Sequence, residues 1–552
     1  MLRVTADTLE SRASARRRPA NNRLLGEELM TAFPPFAFSR SHFTVSRRGF
    51  LGGAAAMAAA LPAAPIWADA STSGAVPANV AAIGLAGKPV TLTASDIKDL
   101  RAGLKGELLL AQDKGYDQAR RVWNGAFDRH PALIARCANS TDVARVVSFA
   151  SSHGLLTSVK GGGHSITGQS TCNGGLMIDL GPMRGIEIDK AKRTAKAQGG
   201  VLLAELDMKT QSAGLVTPLG TAADTGIAGL TLGGGQGRLM RTHGLSCDNV
   251  IGYEIVTADG KILKVNAQQE PDLFWALRGG GGNFGVVTSF EYQLHPLEHP
   301  VLSGSLLYPF DQARTVLNAL FEMGQKAPNE LFLSGGIAVV DASAPFPAGK
   351  YAAFEAVYSG NPADGEKLLA PVLSKLGKPV FNDLVAKPYV QAQLGPTGSA
   401  PPAMPAGLGF YVKSGFLNGI PDSLVTEVIH ASEHAPPWYN GIGILALGGA
   451  ITRVKPDATA YWNRQSQWDM LLNGVWSDHT QDEHNAQVLR DLWKAFDPFT
   501  KGYYINTEPS EGEKRLRETY GDNYARLVQV KNKYDPGNLF RLNANIKPTG
   551  KA

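Results

Sequence analysis

Cysteine is scarce in this 552-residue chain, and two other features are missing from its sequence. Its three cysteines, Cys137, Cys172 and Cys247, are odd in number and do not have zinc-ligand spacing, which excludes a disulfide scaffold and a cysteine-rich zinc site. No apolar run of membrane-spanning length follows residue 70, and no basic run suits a nucleic acid. The chain has 43% hydrophobic and 19% charged residues, which is typical of a packed globular protein.

The formal net charge of +5 is concentrated near the N-terminus. Residues 1–70 contain nine arginines and five acidic residues, so they account for +4 of it. Residues 46–51 read Ser-Arg-Arg-Gly-Phe-Leu and precede an alanine-rich apolar run that ends near Ala68-Asp69-Ala70. This pattern predicts a twin-arginine signal peptide with an N-terminal extension. We therefore expect a periplasmic or secreted protein that uses the twin-arginine export machinery, with no stable membrane anchor and no nucleic-acid partner.

Glycine is abundant, with 62 residues, and it clusters in three segments. We call these the first (161–168), second (226–237) and third (279–285) glycine loops. Glycine lets a backbone approach a ligand closely, and clustered amides can bind phosphate oxygens. The third loop contains the spacing Gly-x-Gly-x-x-Gly of a dinucleotide site. A predicted helix precedes it and a predicted strand follows, which is the reverse of the Rossmann order, so we exclude that fold. The alternative is that all three loops are tight turns between packed elements.

Hydrophobic periodicity predicts the remaining organisation. Residues 71–115 suit a linker with a short helical lead-in, whereas residues 300–495 have scattered prolines and suit a separate α+β domain. Between them, helices and strands alternate, and the chain ends in a helix and a turn. The predicted elements are helices at 141–150, 271–277 and 511–533, strands at 155–160, 176–180, 286–294 and 442–447, and a hairpin of 250–257 with 261–265.

Four separated motifs resemble one family of flavoproteins. The run from Val159 to Ser165 is similar to the pyrophosphate loop of the vanillyl-alcohol oxidase and p-cresol methylhydroxylase flavoproteins. Residues 534–546 are similar to the C-terminal segment of the berberine-bridge-enzyme-like branch, and 226–249 and 272–290 match the same branch. The motifs occur in the family's order, and the resemblance covers about residues 120–548.

This resemblance implies an α+β fold with FAD as the cofactor. A two-subdomain FAD-binding domain of the p-cresol methylhydroxylase type would span residues 116–298. Residues 496–548 would complete that domain, and a substrate or cap domain would span 299–495. The resemblance further implies that His164 bonds covalently to the flavin 8α-methyl group. Ala222 stands where some members have a second, cysteinyl link, so we expect a mono-covalent flavin and a core role for Cys247.

The resemblance also implies a set of flavin contacts, although Asn543 and Asn545 could equally brace the C-terminal turn. The expected contacts are His164, Gly161, Gly162, Gly163, Ser165, Gly168, Gly226, Gly229, Gly233, Gly234, Asp248, Asn249, Gly285, Val287, Asn543 and Asn545.

The sequence departs from the family at the position of the catalytic base, because plant members have a tyrosine where this chain has Thr507. A phenol needs a neighbouring cation to ionise near neutral pH, and Arg464 lies three residues from Tyr461. Thr225 occupies the position of the family's oxygen gate, and its small size favours an oxidase. The remaining candidates for the base are Tyr503, Tyr504, Tyr461 and Glu508.

The sequence thus predicts an exported FAD-linked oxidase that takes hydride from a C–H bond of a small-molecule alcohol, sugar hydroxyl or amine. Molecular oxygen is the expected electron acceptor. Two alternatives stay open: a dehydrogenase that passes electrons to a quinone or cytochrome, and a flavin-binding protein without catalysis.

Overall fold

The computed structural model describes residues 77–340, 347–394, 407–507 and 512–550. The predicted signal peptide and Glu508 lie outside these residues. Between residues 77 and 180 the chain forms a small mixed sheet with strand order β3-β4-β6-β5, in which only β3 is antiparallel to its neighbour. The elements of this part are β1 (Asn79–Ile83), β2 (Pro89–Thr93), α1 (Ala94–Ala102), β3 (Glu107–Leu109), α2 (Tyr116–Arg120), β4 (Leu133–Arg136), α3 (Ser140–Ser152), β5 (Thr157–Lys160) and β6 (Leu176–Asp179).

A second, antiparallel sheet follows, with strand order β11-β10-β12-β8-β7. Its elements are β7 (Ile186–Asp189), β8 (Thr194–Gln198), α4 (Leu203–Gln211), β9 (Leu215–Val216), α5 (Ile227–Leu232), α6 (Met240–His243), β10 (Val250–Val256), β11 (Ile262–Val265), α7 (Pro271–Leu277), β12 (Val286–Gln293) and β13 (His295–Pro296).

The third sheet is the largest, and we call it the cap sheet. It is antiparallel, with strand order β17-β14-β16-β15-β20-β21-β19, and β18 also pairs with β14. Its elements are β14 (Val301–Pro309), α8 (Ala313–Lys326), β15 (Leu331–Val340), β16 (Gly349–Tyr358), α9 (Pro362–Leu376), β17 (Phe381–Asn382), β18 (Val385–Lys387), α10 (Tyr389–Leu394), β19 (Gly409–Leu417), α11 (Asp422–Glu433), β20 (Tyr439–Ala446), α12 (Ala450–Arg453), β21 (Trp468–Trp476) and α13 (Asp482–Trp493).

The two faces of the cap sheet pack against different partners. One face forms a large hydrophobic core with α8, α9, α11 and α13. The other face contributes Phe332, Val357 and Phe416 to a smaller core that also contains Met240 and Leu245. Alternating burial along the strands produces this division, because successive side chains point to opposite faces. This smaller core joins the cap sheet to the part of the chain that contains the second glycine loop.

The C-terminal segment returns to the first half of the molecule. It forms α14 (Glu513–Tyr520) and α15 (Asn523–Tyr534), and α15 packs against α7. Its last residues reach both early cores, since Ile546 is buried with the second sheet and Leu539 and Phe540 are buried with the first. This mixed arrangement of helices and sheets confirms the predicted α+β class.

Several local predictions are confirmed. The helix predicted at 141–150 is α3, which begins after the cap residue Asn139 and buries Val143, Val146 and Val147. The hairpin is β10–β11, and α7 has the predicted bounds, with proline in its first turn. The third glycine loop lies between α7 and β12, which confirms that it is not a Rossmann site.

Two local predictions need correction. The helical lead-in expected within residues 71–115 is present as α1, but the described part of this segment is not a linker, because it also contains the β1–β2 hairpin and β3, and β3 joins the first sheet through β4. The single C-terminal helix is two helices, because Gly521 between them has a φ of 48°, which ends α14. The first error concerns short strands whose pairing partners lie elsewhere in the chain, and the second concerns a single residue within a continuing helical pattern.

Candidate active site

The glycine loops meet at one place in the structure. Gly162 and Gly226 touch through their backbones, since a Cβ on Gly162 would lie 2.5 Å from the amide nitrogen of Gly226. No side chain fits at either position, so this close approach requires both glycines. The third loop joins the second one through the amide of Gly281, which donates to the carbonyl of Leu232 at 2.9 Å. The loops are therefore one assembly and not three unrelated turns.

The C-terminal segment completes this assembly. Asn283 in the third loop donates through Nδ2 to the carbonyl of Ala544 at 3.1 Å and accepts the amide of Ile546 at 2.9 Å. Gln169, directly after the first loop, donates to the carbonyl of Asn543 at 3.1 Å. The C-terminal segment thus contacts the third glycine loop and the residue that follows the first glycine loop.

His164 lies at the edge of the assembly in a defined orientation. Its ring stacks on Trp123, with 4.4 Å between ring centroids and 28° between planes. Its Nε2 lies 3.3 Å from Oδ1 of Asp224. Burial opposes ionisation of Asp224, but His164 and Trp123 beside it hold the pKa of its carboxyl below its usual range. Asp224 is therefore a carboxylate that faces the imidazole.

The residues beside the loops have the chemistry that a flavin dinucleotide needs. A Cβ on Gly229 or Gly282 would meet no atom within 4 Å, so the chain leaves room there. Oδ1 of Asn543 and Oδ1 of Asn545 are buried, and neither bonds a group in the described part of the chain. Buried polar atoms normally have partners, and a flavin has hydroxyl and ring N–H donors for such oxygens. The loop amides suit its pyrophosphate.

Ser165, Asn249 and Asp248, which we expected to contact the flavin, bond other groups of the protein. Ser165 accepts the amide of Gln169 at 3.1 Å and so closes the first loop. Asn249 donates to the carbonyl of Leu245 at 2.9 Å and lies 2.6 Å from His295. Asp248 accepts hydrogen bonds from the guanidinium of Arg464.

The other predicted flavin contacts lie on the three loops and on β12. They are Gly161, Gly162, Gly163 and Gly168 in the first loop, Gly226, Gly229, Gly233 and Gly234 in the second, Gly285 in the third, and Val287 on β12.

Tyr504 anchors the C-terminal segment to the second glycine loop. Its Oη accepts the amides of Gly235 at 3.0 Å and Gln236 at 3.1 Å, and Nδ2 of Asn506 at 2.8 Å. Burial raises the pKa of Tyr504 to about 12, although these three donors act in the opposite direction. At neutral pH the residue is a neutral phenol whose oxygen is fully engaged.

Tyr461 lies next to this anchor, and its Oη accepts Nε2 of Gln236 at 3.3 Å. Arg464 packs over its ring at 5.1 Å, but its guanidinium donates to both oxygens of Asp248 at 2.7 Å. The cation that we expected to ionise Tyr461 is thus neutralised by Asp248, and burial raises the pKa of Tyr461 well above its usual range. In the structure Asp248 is therefore the ion-pair partner of Arg464.

The other catalytic candidates have separate positions. Thr507 donates to Oγ of Ser414 at 2.9 Å, in the place where plant members have a tyrosine. Tyr503 is fully buried in the core of the second sheet. Thr225 lies in the turn before the second loop, and its carbonyl accepts the amide of Leu203 at 2.9 Å.

A groove of about 190 Å³ lies on the cap sheet. Its floor contains Gly336 on β15 and Gly441 and Gly443 on β20, and Gly336 pairs with Gly443 across the strands. A Cβ on Gly336 would lie 1.9 Å from the carbonyl oxygen of Ile442, and one on Gly441 would lie 2.1 Å from that of Ile337, so the pairing of β15 with β20 here requires glycine. Periodicity alone did not predict the groove, because β15 and β20 become neighbours only in the folded sheet.

The walls of the groove are polar. At one end Glu355 accepts Nη2 of Arg238 at 3.1 Å and Oγ of Ser334 at 2.7 Å. At the other end Nδ2 of Asn440 donates to Oδ1 of Asn473 at 2.9 Å. Glu355 was missed in the sequence, where the available signal was that it is the single acidic residue of the mostly apolar strand β16.

Two contacts join the groove to the glycine loops. Arg238, the partner of Glu355, directly follows the second loop. Trp123, which stacks on His164, also makes an edge-to-face contact with Phe410 at 5.1 Å. Phe410 lies on β19, and β19 pairs with β21, which contributes Asn473 to the groove.

Within the described residues, no helix is long and apolar enough to cross a membrane, and no cluster of histidine, cysteine and acidic side chains has the form of a metal site. Cys247 is fully buried in the core between the cap sheet and the second loop, as predicted.

Two family models match the chain at the segments that form the assembly. The model described as "FAD binding domain" matches residues 131–266, and the model described as "Berberine and berberine like" matches residues 503–547. The first match contains the first two glycine loops, and the second contains the Tyr504 anchor and the C-terminal residues that contact the loops.

Known proteins extend this similarity over most of the chain. The chain is 32% identical over 457 residues to the uncharacterized FAD-linked oxidoreductase YgaK of Bacillus subtilis (strain 168), which covers 81% of this chain and 97% of that protein. The structure of 6-hydroxy-D-nicotine oxidase from Arthrobacter nicotinovorans has a TM-score of 0.71 at 28% identity, covering 80% of this chain and 98% of that chain. That of glucooligosaccharide oxidase from Acremonium strictum has a TM-score of 0.73 at 26% identity, covering 83% and 100%. The glycine-loop assembly and these similarities show that this chain is an FAD-dependent oxidoreductase and belongs to the berberine-bridge-enzyme-like family.

Proposed function

We propose that this protein is an oxidase that removes hydride from a C–H bond of a small-molecule alcohol, sugar hydroxyl or amine, with FAD covalently joined to His164 alone. FAD supplies the hydride acceptor when bound. The observation that carries the proposal is the pair of contacts, through Arg238 and through Trp123 and Phe410, that join the cap-sheet groove to the glycine loops.

The groove supports this substrate class through its chemistry. A carboxylate, a hydroxyl and two amides line it, and each can accept a hydrogen bond from a hydroxyl or an amine. Of the two related oxidases, one is named for a hydroxynicotine and the other for glucooligosaccharides, so the scaffold accommodates both kinds of molecule.

Glu355 is the group that we propose to accept the substrate's proton. Its carboxylate is fixed by Arg238 and Ser334 and lines the groove, whereas Tyr504 and Tyr461 are buried neutral phenols. As the substrate's C–H bond breaks, two electrons leave with the hydride and the O–H or N–H proton moves to Glu355.

A covalent link to His164 alone has two supports. The imidazole lies at the edge of the loops with a fixed ring orientation. The glucooligosaccharide oxidase is described with a 6-S-cysteinyl, 8α-N1-histidyl FAD. This chain has Ala222 at the position that we aligned with the family's linking cysteine, and Cys137, Cys172 and Cys247 are all buried.

A two-stage flavin assay tests the oxidase proposal. A panel of alcohols, sugars and amines is first mixed with the protein without oxygen, and bleaching of the flavin absorbance identifies a substrate. Oxygen is then admitted, and we expect rapid return of the absorbance with one peroxide formed per flavin. Slow return with oxygen but fast return with a quinone would instead indicate a dehydrogenase. No bleaching by any donor would favour a flavin-binding protein without catalysis.

The role of Glu355 is tested in the same assay. General-base catalysis contributes about 10²- to 10⁴-fold, so Glu355→Gln is expected to slow bleaching by that factor while flavin content stays unchanged. Glu291→Gln, on an exposed face of β12, is the control and should reduce its flavin at the wild-type rate. An unchanged rate in Glu355→Gln would exclude this residue as the base.

We also propose export by the twin-arginine pathway, on the basis of residues 46–51. Replacing Arg47 and Arg48 by lysine should retain the protein and its flavin in the cytoplasm of the producing cell. Unchanged export of the double variant, measured by cell fractionation, would contradict this proposal.

A further inference from the structure

We propose that Asp224 is a positioning residue for flavin attachment: it keeps a hydrogen on Nε2 of His164 and leaves Nδ1 as the nitrogen that attacks the flavin. This inference rests on the covalent link proposed above. It adds the residue that prepares the histidine for the reaction.

The distance between the two residues is set by the loop contact. Gly162 lies two residues before His164, and Gly226 lies two residues after Asp224, and these glycines touch through their backbones. A turn in which the amide of Thr225 donates to the carbonyl of Ala222 at 3.1 Å precedes this contact. The glycine contact therefore fixes the 3.3 Å separation of Nε2 and Oδ1.

The contact selects one tautomer of the imidazole. A neutral imidazole has one N–H and one lone pair, and a hydrogen bond to one nitrogen decides which is which. A carboxylate accepts hydrogens only, so Asp224 favours the hydrogen on Nε2 of His164. Nδ1 then has the lone pair, whereas Nε2 is buried, lies 3.3 Å from Oδ1 of Asp224, and bonds no other group in the described part of the chain.

Trp123 supports both members of the pair. Its ring stacks on the imidazole, and its indole N–H donates to the carboxylate of Asp224. This second donor stabilises the ionised form of Asp224, which is 24% exposed in its side chain. Three residues from separate segments thus hold one imidazole in one orientation.

The attachment reaction needs such a group for its proton balance. One C–N bond forms between Nδ1 and the 8α carbon, and one C–H bond of the methyl group and the Nε2–H bond break. Both hydrogens leave as protons, and Asp224 faces the one on Nε2. The two electrons pass to the flavin, and dioxygen removes them as hydrogen peroxide. Asp224 also stabilises the positive charge that develops on His164 as the C–N bond forms.

The test measures covalent flavin separately from bound flavin. Wild type, Asp224→Asn, Asp224→Glu and Trp123→Phe are purified as holoproteins, and flavin is quantified before and after acid precipitation. Partners that act through another residue typically contribute about 10- to 100-fold, so we expect the attachment rate of Asp224→Asn to fall by that factor with bound flavin retained. Asp224→Glu should recover part of the rate. Trp123→Phe keeps an aromatic ring and should lose less than Asp224→Asn.

Asp96→Asn is the matched control, because Asp96 lies 3.8 Å from His153 far from the loops. It should attach flavin at the wild-type rate. Attachment at the wild-type rate and extent in Asp224→Asn would overturn the inference, as would equal losses in Asp96→Asn. A wild-type protein that releases all its flavin into acid would instead contradict the covalent link itself. If Asp224→Asn does not fold, Asp224→Glu and Trp123→Phe decide the question by the same measurement.

Discussion

Replacing Tyr504 by phenylalanine separates its role as an anchor from a role as the catalytic base. The ring stays in place, but the amides of Gly235 and Gln236 and Nδ2 of Asn506 lose their common acceptor. Each unsatisfied hydrogen bond costs about 1 kcal/mol net, so the three together should lower the free energy of unfolding by about 3 kcal/mol. We expect Tyr504→Phe to unfold at a clearly lower urea concentration than wild type.

A matched control makes this magnitude meaningful. Tyr292 is also buried and bonds only Thr231 in the described structure, at 2.8 Å. Tyr292→Phe should therefore cost about 1 kcal/mol, one third of the effect at Tyr504. Because burial raises the pKa of Tyr504 to about 12, the pH dependence of flavin reduction should be unchanged in Tyr504→Phe. Equal stability of the two variants, or a large loss of rate in Tyr504→Phe without a loss of stability, would refute the anchor.

Three further predictions concern the loops, a buried acid and the C-terminal segment. Gly162→Ala should reduce flavin content and cost about 1–3 kcal/mol, because its Cβ would overlap the backbone of Gly226; measuring the flavin-to-protein ratio checks this. Burial raises the pKa of Asp207 to about 7, so the folded protein keeps a proton that the unfolded chain releases above about pH 4, and stability falls as pH rises to about 7. Asp207→Asn removes this loss, up to about 4 kcal/mol, in thermal unfolding between pH 4 and 7; identical pH profiles would refute it. Lys531→Met leaves the buried carboxylate of Asp535 without its cation and should cost about 3–5 kcal/mol in chemical unfolding, whereas a neutral effect would contradict the ion pair.

Local chemistry explains which parts of the fold the sequence could predict. The β10–β11 hairpin and α7 follow from turn residues and a proline in the first helical turn, which act within a few residues. The order of helix, loop and strand around the third glycine loop was enough to exclude a Rossmann site. The break at Gly521 was missed because the sequence on both sides continues in a helical pattern.

The candidate site shows the same division. His164 and the glycine loops were predicted from motifs, and the structure brings the loops together. Asp224 and Glu355 were missed, because the contacts that indicate their roles are made with residues in other segments of the chain. The bond between Arg464 and Asp248 likewise could not be read from spacing, since 216 positions separate the two residues.

The most direct test of the account is mass spectrometry of the purified protein after proteolysis. The account predicts that the peptide containing His164 has the mass of a covalently attached flavin, and that the peptides containing Cys137, Cys172 and Cys247 are unmodified. An unmodified His164 peptide together with complete release of flavin into acid would contradict it.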